Sequence, residues 1–164
     1  MADELATIAN RVWRARANVV SGMVRNGKWS DEAADRVLRP WKAICVLAGC
    51  DIAALSAEDE ADYNDIRRPV VHYPGNCQPG RKDYLMEEWE ARSLLATTLC
   101  SPLRWGRELG EATNRAAERH TQNPTAETLA NWRDLATLSR ALEVTVPWRD
   151  RRTTQVQAPE RMAA

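Results

Sequence analysis

From Leu5 onward, apolar side chains return at intervals of three, four or seven residues: Leu5, Ile8, Val12, Val19 and Met23, with Ala9, Ala15 and Val20 widening the stripe. That spacing places them on one face of an α-helix. Asp3 and Glu4 suit its positive end, so the pattern predicts a helix from Asp3 or Glu4 to about Arg25. The sequence NGKWS, 26–30, breaks it with an Asn-Gly turn signal and offers Ser30 as a cap for a second helix. A second stripe runs through Ala33, Ala34, Val37, Trp41, Ile44 and Cys45. Pro40 interrupts it and predicts either a kink or a fresh helix start. Gly49 is the expected stop, so residues 4–49 form a helical hairpin.

Residues 51–65 hold six acids and no bases. Ser56 with Asp59 three positions on is a short-acid variant of the capping box and predicts a brief helix from 57 to about 65. RRPVVHYPGNCQPGRK, 67–82, has three prolines and two glycines and reads as a loop, with a short edge strand at Val70 to Tyr73. Asp83 caps the next helix, whose face takes in Leu85, Met86, Trp89 and Leu99 with Leu95 nearby. Ser101-Pro102 then gives a cap and a first-turn proline. That helix carries Leu103, Leu109, Ala112, Thr113 and Ala116 to about Arg119, and Gly106 and Gly110 within it suggest a close helix neighbour. Asn123-Pro124 repeats the start signal for a last helix through Glu143, with Ala126, Leu129, Trp132 or Arg133, Leu135, Ala136, Leu138 and Leu142 on its stripe. VTVPW, 144–148, lies back across the bundle. The expected fold is therefore all-α: an irregular bundle of five long helices, with an N-terminal helical hairpin and a central Pro/Gly-rich loop. Residues 1–148 form one helical domain, in which 3–50 can be a hairpin subdomain, and 149–164 are a flexible tail.

Composition changes this picture in one respect. Ala supplies 25 residues, while Leu, Ile and Val together number 29 of 164. So sparse a set of large aliphatics would suggest disorder in a chain of high net charge. The net charge is zero, and seven Trp with no Phe make tryptophan a main source of large apolar area. The expected core is lined by alanine and completed by tryptophan. No signal core and no apolar run of membrane-spanning length is visible, and four unpatterned cysteines fit a reducing cytoplasm.

Candidate chemistry is thin. Cys45 and Cys50 are five apart, about 140° around an ideal helix, although a stop at Gly49 can turn Cys50 back. With His72 and Cys77 they make the best zinc set available. There is no C-x-x-C pair, and four ordinary packed thiols explain the residues better. A Cys45–Cys50 disulfide would be a local redox device, with nothing independent in its favour. His72 beside Tyr73 and near Cys77 lacks a triad partner and oxyanion donors. His120, after Arg119 at a helix end, suits a structural role against terminal carbonyls. The acids from Glu58 to Asp65 do not match a calcium loop, and no phosphate-cradling or dinucleotide motif is present. The sequence thus predicts no enzyme, no metal and no cofactor.

What remains is surface. Twenty of the 23 basic residues are Arg, a side chain suited to bidentate contact with carboxylate or phosphate, although a GC-rich genome explains the excess too. Arg11, Arg14 and Arg25 lie on related turns of the first helix, with Arg16 at their margin; Arg36 and Arg39 come next on the second, and residues 1–50 carry eight bases against five acids. Trp13, one step off the main stripe, and Trp29, in the turn, can stay exposed and anchor a partner, or they can simply close the hairpin core. The favoured expectation is a non-catalytic protein-interaction or accessory protein, binding a protein partner or a second copy of itself through Arg11, Trp13, Arg14, Arg25, Trp29, Arg36 and Arg39. The rival is a nucleic-acid-binding adaptor using the same hairpin.

Overall fold

A computed structural model describes residues 2–67 and 87–144. These residues form six α-helices, α1 (Ala2–Arg25), α2 (Asp31–Leu47), α3 (Ala57–Arg67), α4 (Glu88–Leu99), α5 (Pro102–Gln122) and α6 (Ala126–Ala141). The all-α expectation holds, but the helix number does not: the acidic segment, expected to be too brief to count among five long helices, is a helix of 11 residues and makes a sixth. The reason is a tertiary contact. Ser56 Oγ accepts the amides of Glu58 and Asp59, and Asp59, 5% exposed, is drawn inward to Lys42 Nζ of α2 at 3.2 Å. The pair is close without the alignment of a good hydrogen bond, since Asp59 Oδ2 has no hydrogen-bond partner.

The hairpin forms as its punctuation suggests. Gly27 at φ +69° and Gly49 at φ +89° end α1 and α2. Each sits at the centre of the same two-bond closure: Gly27 N–H to Val24 O with Lys28 N–H to Met23 O, and Gly49 N–H to Val46 O with Cys50 N–H to Cys45 O. Ser30 Oγ caps α2 by accepting from the Ala33 amide. Pro40 lies inside α2 without ending it. It cannot donate to the carbonyl of Arg36 four residues back. Arg104 Nη2, from α5, donates to that carbonyl instead at 2.8 Å.

α2 is buried on two sides. One side joins Ile8, Ala9 and Val12 of α1 with Leu109, Ala112 and Ala116 of α5 and Leu135 and Leu138 of α6, through Trp41, Ile44 and Cys45. The other packs Ala43 and Val46 against Ile52, Leu95, Ala96 and Cys100, with Tyr63 and Ile66 at the margin. The sequence stripe captured only the first side. α5 and α6 are clasped by Thr113, whose Oγ1 donates to Leu109 O and lies 2.8 Å from Ser139 Oγ, both buried.

Several expected core positions are exposed: Trp89 at 68%, Leu103 at 84% and Val19 at 69%. Val20, the next residue along α1, is 5% exposed, so at this turn the buried line of α1 runs through Val20 and leaves Val19 outside. Gly106 has nothing within 4 Å of where a Cβ would stand, so no close helix approach explains it. The last helix starts at Ala126 with Thr125 as its cap rather than at Asn123-Pro124, because Thr125 and Thr128 satisfy one another's backbone amides. The 70–73 strand, the cap at Asp83, Leu85, Met86, the 145–148 return and the 149–164 tail lie outside the described residues.

Candidate functional site

The seven surface residues anticipated from sequence do not form one patch. Arg14, Arg25 and Arg36 are exposed. Arg11 is committed within the chain: its Nε lies 2.9 Å from Asp134 Oδ2 and its Nη2 donates to Oδ1 at 3.1 Å, tying α1 to α6. Arg39 Nε holds Asp35 at 2.6 Å along α2. Trp13 and Trp29 are half-buried, and Trp13 packs on the larger core cluster. Trp13 also lies about 160° around α1 from Arg11, so the aromatic and the basic strip face different ways.

The arrangement that carries chemistry centres on Arg16, a residue placed only at the margin of the basic strip by sequence. It stands four residues after Val12 and four before Val20, in the middle of the buried stripe of α1. Its guanidinium lies over the ring of buried Trp41, 3.5 Å from the ring centre, and its Nη1 donates to Val12 O at 3.3 Å. Burial, assisted by the neighbouring positive charge of Arg115 and opposed by Glu108, lowers its pKa from 12.5 to about 10. At neutral pH Arg16 is still a cation.

Beside it opens a cleft of about 100 Å³ lined by Arg16, Ala112, Arg115, Ala116, Arg119, Asn131 and Leu135. Helix geometry explains the lining. Residues 112, 115, 116 and 119 recur at three and four along one face of α5, and Asn131 and Leu135 do the same on α6. Arg115 is loosely held by Glu111 at 3.4 Å. Arg16 makes no ion pair among the described residues. Water occupies about 30 Å³ per molecule in the liquid, so the cleft has room for a carboxylate-sized group. Three guanidinium groups and an amide are donors matched to such an anion.

Catalytic and metal candidates gain no such setting. Cys45 and Cys50 are buried thiols, while His72 and Cys77 lie outside the described residues. Among the described residues no three His, Cys, Asp or Glu side chains are grouped to hold a metal. His120 Nδ1 lies 3.0 Å from Thr128 Oγ1, and its ring stacks on Trp132 at 5.8 Å. It joins α5 to α6 through side chains. Among the described residues no helix is long and apolar enough to cross a membrane.

No protein-family model matches the chain, and no curated protein or solved structure shows significant similarity to it. The cleft and its surroundings are therefore the basis for assigning a function.

Proposed function

We propose that this is a non-catalytic interaction or accessory protein whose α1–α5–α6 face takes a carboxylate from an acidic segment of a partner protein into the Arg16 cleft. The observation that carries this is Arg16 itself, a half-buried cation beside a second cation, without an ion pair among the described residues and open to a cleft of carboxylate size. Placing two guanidinium groups together in a partly desolvated site opposes folding. An incoming carboxylate relieves that repulsion, and partial burial makes its bidentate contact stronger than one on open surface. Exposed Arg14 and Arg25 add attraction at longer range.

Two features favour protein over nucleic acid as the partner. Arg11 and Arg39 are already neutralised by Asp134 and Asp35, and a zero net charge gives little capture of a polyanion. A cytoplasmic setting agrees with buried cysteines kept as thiols.

Titration calorimetry of the full chain tests the proposal with three probes: a glutamate-rich peptide, its glutamine counterpart and a DNA duplex. The glutamate peptide should bind, and Arg16→Met should weaken it about ten- to a hundredfold, the range for a charge-assisted hydrogen bond. Tighter binding of the duplex, or equal binding by Arg16→Met, overturns the proposal.

A further inference from the structure

On an uninterrupted helix Cys45 and Cys50 would point about 140° apart. Gly49 prevents this. Its left-handed φ of +89° folds the chain back, and the Gly49-to-Val46 and Cys50-to-Cys45 backbone bonds, 3.3 and 3.0 Å, close the end of α2. In this closure the residues standing where Cys45 and Cys50 stand are the two whose side chains meet, ordinarily as an apolar contact. Here both of those positions hold cysteines. Both are buried, and each also donates to a carbonyl of α1: Cys45 Sγ to Ala9 O at 3.5 Å and Cys50 Sγ to Ala6 O at 3.3 Å. On the other side Arg92 Nη1, from α4, donates to Val46 O at 3.1 Å and to Cys50 O at 2.9 Å, fixing the closure and bringing a cation to it. Gly49 and Asp51, which flank Cys50, are exposed.

We propose that Cys45 and Cys50 are a reversible dithiol–disulfide pair, closed by a small peroxide such as hydrogen peroxide and reopened by a dithiol reductant. Cys50 is the attacking sulfur. Interaction with the neighbouring Cys45 thiol holds its pKa below the ordinary thiol value, with burial opposing and the Arg92 charge assisting. The same interaction, together with burial, pushes Cys45 up and keeps it a thiol. The Cys50 thiolate attacks one peroxide oxygen and the O–O bond breaks. The departing hydroxide takes the proton that Cys50 gave up, forming water and leaving a sulfenic acid on Cys50. Cys45 sulfur then attacks Cys50 sulfur, the S–S bond forms and the S–O bond breaks. The second hydroxide takes the Cys45 proton. Two thiols lose two hydrogens and two electrons, and one peroxide becomes two waters. A dithiol reductant reverses the change by exchange. Closure also consumes both S–H donors that tie the end of α2 to α1.

The experiment uses the reduced full chain, treated with hydrogen peroxide, blocked with maleimide and digested after Lys and Arg. Cys45 and Cys50 fall together in the peptide 43–67, which contains no other cysteine. The expected result is that this peptide loses two hydrogens and takes no maleimide, where the untreated peptide takes two, and that dithiothreitol restores both labels. Cys45→Ser should leave Cys50 as a sulfenic acid trapped by dimedone. The proposal is overturned if peptide 43–67 keeps both labels after Cys77 and Cys100 have lost theirs. It is overturned equally if that peptide is found cross-linked to either of them, or if Cys50 is oxidised while Cys45 keeps its label. The unsubstituted chain alone decides among these outcomes, so the test survives a variant that fails to fold.

Discussion

Replacing Lys42 by Met removes the cation that faces Asp59 and tests why the acidic segment becomes a full helix. The Asp59 side chain is 7% exposed and that of Lys42 18%. The two single substitutions should therefore differ. Lys42→Met strands a carboxylate with almost no access to water, and breaking a buried pair in this way costs about 3–5 kcal/mol. The partial exposure of Lys42 places the expectation near the lower end, about 3 kcal/mol. Asp59→Leu leaves an ammonium on a flexible stem that can reach solvent, so its cost should be about 1 kcal/mol. The double substitution should recover most of the Lys42→Met loss, because no unpaired charge remains. Urea unfolding monitored by helical circular dichroism measures all three; with a slope of about 1–3 kcal/mol per molar, Lys42→Met should move the midpoint down by about 1–3 M. Equal losses in the two single variants, or a double variant as unstable as Lys42→Met, would refute the account of α3 as a helix fixed through a buried ion pair.

Other predictions concern separate contacts. Thr113→Val leaves Ser139 Oγ buried without its partner and should cost about 1–3 kcal/mol, of which Ser139→Ala in the same chain should restore a large part; thermal unfolding checks it. Arg16→Met keeps the bulk over Trp41 while removing a poorly compensated cation, so stability at pH 7 should stay within about 1 kcal/mol of the parent, and a loss beyond about 3 kcal/mol in the same assay would make Arg16 a structural residue. The sign of its pH effect comes from a folded pKa, about 10, below the unfolded 12.5: charged Arg16 opposes folding fully below about 10, and that penalty lifts as pH rises toward 12.5. In alkaline unfolding, the parent should therefore gain on Arg16→Met across that interval. Gly49→Ala meets no atom within 4 Å, so its cost should be the left-handed backbone alone, about 1–2 kcal/mol, and calorimetric unfolding should show no more.

The repeat of apolar residues, the Asn-Gly and Gly49 stops and the Ser30 and Ser101 caps are local, and short-range sterics and hydrogen bonding act on them before any helix meets another. The sequence by itself therefore determined that the chain is helical, where most of its helices begin and end, and that α1 and α2 pair as a hairpin. It also contained the Arg16 signal, a cation in the middle of the 12–16–20 line, but periodicity treats a long polar side chain there as a margin. Only the tertiary structure decided that α2 is buried on both sides, that Lys42 draws Asp59 inward, that Arg104 covers the carbonyl Pro40 leaves bare, and that Arg115 and Arg119 stand beside Arg16. Each of these joins residues from different helices, and one helix's spacing carries no information about which neighbour lies against it or where that neighbour ends. Burial, charge and hydrogen bonding are properties of the pair, so they exist only once the helices have been brought together.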